Sequence, residues 1–272
     1  MRYAKLPSGA EMPMVGMGTW TLRGDVAVKA VQTALRLGYT HIDTAEGYGN
    51  QREIARAIEA AGVARDDLFI TSKVSAEHLR YDDLLRACDD TLRDLKTDYL
   101  DLYLVHWPNA DIPMEETFRA MARLCREGKI RHIGVSNFVT KRLGEALAIS
   151  QEPIVVNQVE YHPYLNQMDL YEFCRQNDVL ITAYSPFARG VLFEDRVLTA
   201  VANAHGVTVP QVIIRWLLQK DIVAIPRSRS ERHLRTNLEV FDFELSDDEM
   251  DRIENIGVHQ RVVQGARGEW ER

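Results

Sequence analysis

Asp43 ends the strand predicted within THIDTA, Tyr48 follows in the loop EGYGN, Lys73 closes LFITSK and His106 closes YLDLYLVH. Together they form an acid with its supports. A phenol has a pKa near 10 and donates protons poorly at neutral pH. An ammonium group nearby favours the phenolate and makes the phenol a stronger acid, a role that suits Lys73. Burial would discharge that lysine, so a carboxylate is needed behind it, and Asp43 can keep it protonated. The expected order is Asp43 to Lys73 to Tyr48. His106, neutral at working pH, can donate a hydrogen bond that orients a carbonyl oxygen beside the tyrosine hydroxyl.

Taken singly, each residue has an ordinary structural reading: a turn aspartate, a rim aromatic, a solvated lysine, a structural histidine. Packing alone gives no reason for all four to enter one barrel mouth. The set lacks a nucleophile. No G-x-S-x-G occurs, and Cys88, Cys125 and Cys174 fall within predicted helices. HExxH is absent, and His41-Ile-Asp43 is not an H-x-H pair, so no metal site is expected and His41 reads as strand interior. A hydride supplied by a cofactor is the economical remaining chemistry.

The elements that must position these residues follow from eight short, β-branched apolar runs, beginning near Met14, Thr40, Leu68, Tyr99, Ile130, Ile154, Val179 and Ile222. They start about 24 to 31 residues apart, except for a last gap of about 43, and the stretches between them have helical periodicity. Such alternation predicts parallel strands with crossover helices. Eight repeats in a chain of this length predict an α/β fold, a (β/α)8 TIM barrel, in one domain over residues 1–272. Helices are expected at Asp25–Leu37 before Gly38, at Asp82–Leu95, twice in the wide gap with Pro210 in a first turn, and after Ser246 as a cap. YAKLPSGAEMPMV reads as a hairpin lidding the barrel bottom. Neither Gly16-Met-Gly18 nor Gly47-Tyr-Gly49 extends to G-x-G-x-x-G, so a nucleotide would bind otherwise than in an open doubly wound sheet.

A barrel carries its active site at the C-terminal strand ends. There Ser136, Asn137 and Gln158 offer amides and a hydroxyl to a carboxamide, and Tyr184 offers a flat face to a nicotinamide ring. Arg227, Ser228 and Arg229 offer donors to phosphate at a helix start, although RSRSERHLR reads equally well as a solvated charged helix start.

The chain has 272 residues, 46% hydrophobic and 27% charged, with 33 basic and 40 acidic residues and a net charge of −7. Disorder and coiled coil fit poorly, and the acidic balance offers no general attraction to nucleic acid or anionic membrane. Three separated cysteines cannot build a disulfide framework. The N-terminal stretch has no signal-peptide core and no run suits a bilayer span, so a cytoplasmic location is expected.

From GMGTW through DTAEGYGN, LVHWPN, IRHIGVSNF, NQVEYHPY, AYSPFARG, IPRSRS and VFDFELSDDEM, the chain resembles the aldo-keto reductase superfamily along nearly its whole length. With the ending RVVQGARGEW it resembles most the bacterial branch reducing 2,5-diketo-D-gluconate, methylglyoxal and related dicarbonyls. The resemblance implies a monomer with a catalytic tetrad of Asp43, Tyr48, Lys73 and His106, in which Tyr48 gives the proton while NADPH gives hydride. It implies a coenzyme lining of Gly18, Thr19, Trp20, Asp43, Ser136, Asn137, Gln158, Tyr184, Ser185, Pro186, Leu192, Ile225, Pro226, Arg227, Ser228, Arg229, His233 and Asn237. Trp20, Tyr48, His106, Trp107, Phe187 and Trp270 would form the substrate pocket, and a short tail would leave it open to small carbonyl compounds. Trp216, within VIIRWLLQ, reads as core.

Two departures matter. Many members have lysine where this chain has Arg227 and an arginine where it has His233, so the grip on a 2′-phosphate is expected to weaken and NADH to serve as a secondary coenzyme. Thr236 stands where a glutamate is common, leaving Asn237 as the adenine contact carried over.

Overall fold

The computed structural model describes residues 2–263. The eight apolar runs become β3 (Met17–Gly18), β4 (His41–Asp43), β5 (Phe69–Val74), β6 (Leu100–Val105), β7 (Ile130–Ser136), β8 (Ile154–Glu160), β9 (Leu180–Tyr184) and β10 (Val223–Ala224), after a hairpin of β1 (Tyr3–Lys5) and β2 (Glu11–Pro13). β3 to β10 pair in chain order, all parallel. The sheet then closes on itself. Val15 bridges Ala224 in parallel, with the Gly16 amide donating to the Ala224 carbonyl at 2.9 Å and the Ala224 amide to the Met14 carbonyl at 2.8 Å. The (β/α)8 expectation holds. Every residue of β4, β5, β6 and β8 is buried, as strands with a filled barrel inside and helices outside must be.

The crossovers are α1 (Gly24–Arg36), α2 (Gln51–Ala61), α3 (Tyr81–Leu95), α4 (Met114–Arg126), α5 (Thr140–Ile149) and α6 (Met168–Gln176). α1 buries Ala27, Ala30, Val31, Ala34 and Leu35 on one face and ends where Gly38 takes φ 97°. The wide gap holds α7 (Arg196–His205) and α8 (Val209–Gln219), with Pro210 in the first turn of α8, where its missing N–H costs nothing. Trp216 of α8 is fully buried and stacks on Tyr161 at 5.7 Å. α9 (Glu231–Leu238) follows β10, and α10 (Asp247–Glu254) starts from a capping box of Ser246 and Glu249. Cys88, Cys125 and Cys174 lie in α3, α4 and α6. Burial pushes each thiol up to about 12, which removes them as nucleophiles.

The hairpin sits under the barrel. Its register is Tyr3 to Pro13, Ala4 to Met12 and Lys5 to Glu11, and Met12 is buried. Ser8 at its turn meets His132 Nε2 of β7 at 2.7 Å, and the Pro13 carbonyl meets His41 Nδ1 of β4 at 3.3 Å. Both histidines lie toward the N-terminal ends of their strands, so the hairpin covers the end opposite the site. Among the described residues no single helix is long and apolar enough to cross a membrane.

Candidate active site

The parallel register sets Asp43 opposite Thr71 and Lys73 opposite Leu104, so Lys73 lies two residues past the partner of Asp43 and His106 two past the partner of Lys73, all three at the C-terminal ends of adjacent strands. Lys73 is wholly buried, with Nζ 2.6 Å from Oδ1 of Asp43 and donating to the Thr44 carbonyl at 2.8 Å. Nζ also stands 5.0 Å from the ring centre of Tyr48. The tyrosine is carried on a single 3-10 turn, Glu46–Tyr48, that ends at Gly49. Its ring meets the His106 imidazole edge-on at 5.5 Å and 74°. The four residues therefore come together as the resemblance implied.

One electrostatic expectation is overturned. Burial first, then the charge of Asp43 and the neighbouring Tyr184, hold the Tyr48 phenol well above its ordinary pKa instead of below it. Lys73 cannot reverse this, because the Asp43 carboxylate at 2.6 Å compensates its charge and the phenol faces a nearly neutral pair. Burial likewise pulls the lysine below its usual value, against the pull of Asp43. His106 behaves as expected. Burial and then Lys73 push it down to about 3, so it is a neutral imidazole throughout the physiological range.

A second layer fixes the first. Gln158, two residues before the end of β8, donates its amide to Oδ2 of Asp43 at 2.8 Å. Asn137, held at φ 65°, donates to the His106 carbonyl at 2.9 Å and to Ser136 Oγ at 3.1 Å, while its own oxygen accepts from the Tyr184 hydroxyl at 2.8 Å. The Ser136 hydroxyl donates to the Gln158 carbonyl at 2.8 Å. These polar groups face a cleft of about 320 Å³, within the usual range for small-molecule sites.

Asp43, Tyr48 and His106 line that cleft, as do the expected coenzyme residues Gly18, Thr19, Trp20, Ser136, Asn137, Gln158, Tyr184, Ser185, Pro186, Ile225 and Arg227. Trp107 and Phe187 line it as well, and Trp270 lies outside the described residues. A side chain at Gly18 would bring Cβ within 2.6 Å of the Ile225 carbonyl, so only glycine lets these two strand ends approach. The flat Tyr184, the amides of Asn137 and Gln158 and this bare strand end fit a planar carboxamide-bearing ring.

Leu192, Pro226, Ser228, Arg229, His233 and Asn237 are not in the cleft wall. Leu192 packs in the hydrophobic core and Asn237 is buried. Ser228 accepts from the Ser230 amide at 3.1 Å, just before α9, whose N-terminus is capped by Ser230. Arg229 and His233 are exposed beside it.

Two wall residues escaped the sequence reading. Arg189 sits at φ 55°, with its guanidinium 5.4 Å from the Trp20 ring centre, and only its place within AYSPFARG hinted at it. Val263 reaches the cleft from the C-terminal segment, and no local pattern marks it.

The arrangement can hold a carbonyl oxygen between a neutral imidazole and a protonated phenol, beside a planar seat for a reductant. The aldo/keto reductase family model matches residues 14–258. The glyoxal reductase of Bacillus subtilis is 43% identical over 259 residues, covering 95% of this chain and 94% of that protein. A solved structure of a putative 2,5-diketo-D-gluconic acid reductase B is 38% identical, with a TM-score of 0.94 over 98% of this chain and 95% of the other. A thermostable aldo-keto reductase solved with the inhibitor epalrestat is 46% identical, with a TM-score of 0.89 over 93% and 99% of the two chains. Barrel, site geometry and relatives agree: this chain is an oxidoreductase that belongs to the aldo/keto reductase family.

Proposed function

We propose that this chain reduces small aldehydes, ketones and dicarbonyls of the methylglyoxal or diketogluconate type, using NADPH with NADH as a secondary coenzyme. It acts as a cytoplasmic monomer whose residues 1–272 form one domain. The observation that carries this reading is the convergence of Tyr48, Asp43 and His106 on one cleft, with Lys73 fully buried behind it against Asp43 and 5.0 Å from the Tyr48 ring centre.

A nicotinamide coenzyme bound in the cleft would supply the hydride that the carbonyl carbon takes up. As the C=O π bond breaks, Tyr48 gives its hydroxyl proton to the oxygen, and the phenolate is later reprotonated from solvent. A phenol held above its ordinary pKa stays protonated at working pH. It remains a competent donor because an oxygen gaining alkoxide character is the stronger base. Lys73, 5.0 Å from the ring centre, offsets only part of the phenolate charge while it lasts, because Asp43 compensates most of its own. Neutral His106 donates a hydrogen bond to the same carbonyl oxygen and sets its direction.

Ser136, Asn137 and Gln158 would hold the carboxamide, and Tyr184 would support the ring. Arg227, Ser228 and Arg229, with the N-terminus of α9, hold phosphate. Trp20, Trp107 and Phe187 give an apolar slot around one polar centre. The names of the glyoxal reductase and of the putative diketogluconate reductase support dicarbonyls as the substrate class. The test measures coenzyme oxidation with methylglyoxal, 2,5-diketogluconate, a β-keto ester and an aromatic aldehyde, each with NADPH and NADH. Turnover of the dicarbonyls is expected, and no turnover of any carbonyl would overturn the reading.

A further inference from the structure

Glu160 closes β8 and is completely buried, yet it takes no part in the proton donor, its supports or the phosphate seat. A carboxylate in such a place is costly unless its oxygens are occupied. They are. Oε1 lies 2.9 Å from His162 Nε2 and accepts from the Val262 amide at 2.7 Å, while Oε2 accepts from the Val263 amide at 2.9 Å and has the Arg261 guanidinium 4.0 Å away. Burial alone would raise this carboxyl, but the bonds from His162 and from the two amides outweigh it and hold it below the usual range.

The neighbouring loop adds to the same attachment. The Glu160 carbonyl accepts from the Gln167 side chain at 2.6 Å, Gln167 Oε1 meets Arg261 at 3.5 Å, and the Tyr164 carbonyl accepts from the Gln260 amide at 2.7 Å. Residues 260–263 thus leave α10 and are fixed by a loop about a hundred residues earlier. Two consecutive backbone N–H groups converge on one carboxylate, an anion seat inside the protein with the anion supplied by the chain itself. Val263, the second donor, forms part of the cleft wall.

We propose that Glu160 is a positioning residue for substrate selection: its buried carboxylate seats the C-terminal segment so that Val263 forms one wall of the carbonyl-binding cleft. The proposal rests on the carbonyl-reductase reading for its substrate and on hydrogen bonds alone for its mechanism. Releasing the seat should weaken the fit of small carbonyl compounds more than the coenzyme half of the site, because the carboxylate's hydrogen bonds run to His162 and to the amides of Val262 and Val263, while Tyr184, its sheet neighbour, is held by its own hydrogen bond to Asn137.

The test uses the full chain. Glu160→Gln replaces one acceptor oxygen by an NH2 that opposes an amide donor, and Val262→Pro removes one donor while leaving the Val263 side chain intact. In either variant the KM for methylglyoxal should rise about tenfold with kcat within about threefold and NADPH affinity within about twofold of wild type. Amide exchange over the peptide containing Val262 and Val263 should accelerate in Glu160→Gln, and the double variant should be no worse than the stronger single one. An unchanged KM with faster exchange, or additive effects in the double variant, would overturn the proposal. Should Glu160→Gln fail to fold, Val262→Pro carries the same comparison. Should the wild type reduce no carbonyl, the functional reading fails; binding of an unreduced carbonyl ligand, read by tryptophan fluorescence, then replaces KM, and unchanged affinity in the variants overturns the seat.

Discussion

Gln158 reaches across the full width of the barrel to Asp43, its amide nitrogen 2.8 Å from Oδ2, while Lys73 takes the other oxygen at 2.6 Å. β4 and β8 are the second and sixth of eight strands and so face each other across the axis. The carboxylate that holds the lysine is thus fixed from both sides. Gln158→Leu should lower stability in the absence of coenzyme by about 1.5 to 3 kcal/mol, the loss expected for a hydrogen bond to a charged group. Thermal unfolding of the uncomplexed protein checks this, and an unaltered melting temperature would mean the bond contributes nothing.

Tyr48→Phe should remove nearly all reduction, a loss of about 10²–10⁴ in kcat, while leaving the Kd for NADPH within about threefold. Single-turnover kinetics and tryptophan quenching by NADPH separate the two readouts. Lost coenzyme affinity with residual turnover would assign Tyr48 another role.

Acid should destabilise the protein through its buried histidines. Burial pushes His41 down to about 4, against the opposing pull of Asp43, and burial with Lys73 pushes His106 to about 3. The unfolded chain, with histidines near 6.5, therefore binds protons first. The stability gained by keeping these rings neutral is complete above pH 6.5 and is lost as pH falls toward 4 and then 3, amounting to roughly 3 kcal/mol for His41. Urea unfolding at pH 7 and pH 4.5 should reveal the slope. His41→Phe should flatten it, and an equal slope in that variant would rule His41 out as its source.

Coenzyme preference should be modest. With His233 and not arginine beside the N-terminus of α9, the ratio of kcat/KM for NADPH over NADH is expected below about a thousandfold, and His233→Arg should raise it about tenfold through a new charge-assisted bond. A wild-type bias beyond a thousandfold, or no response to arginine, would contradict this.

Much of the site was legible in the sequence for a specific physical reason. A parallel barrel strand must be apolar along its length, so a charged residue at its end stands out: Asp43, Lys73 and His106 each close an apolar run. The same contrast exposed Gln158 and Tyr184, and the N-cap preference exposed Ser246. The acidity of Tyr48 was misread because sequence supplies neighbours but not their distances. A lysine 5.0 Å from the ring centre of a phenol and 2.6 Å from a carboxylate oxygen serves the carboxylate first.

Residue types and their periodicity determined the eight-fold alternation, the placing of Asp43, Lys73 and His106 at strand ends and the lack of a nucleophile motif. Those properties are local: each depends on a single strand, turn or helix end. Only the folded chain decided that burial keeps the Tyr48 proton in place, that Arg189 lies against Trp20, and that Glu160 fastens residues 262 and 263 to bring Val263 into the cleft. Each of these depends on dielectric surroundings or on partners separated along the chain, and neither is written in any one segment.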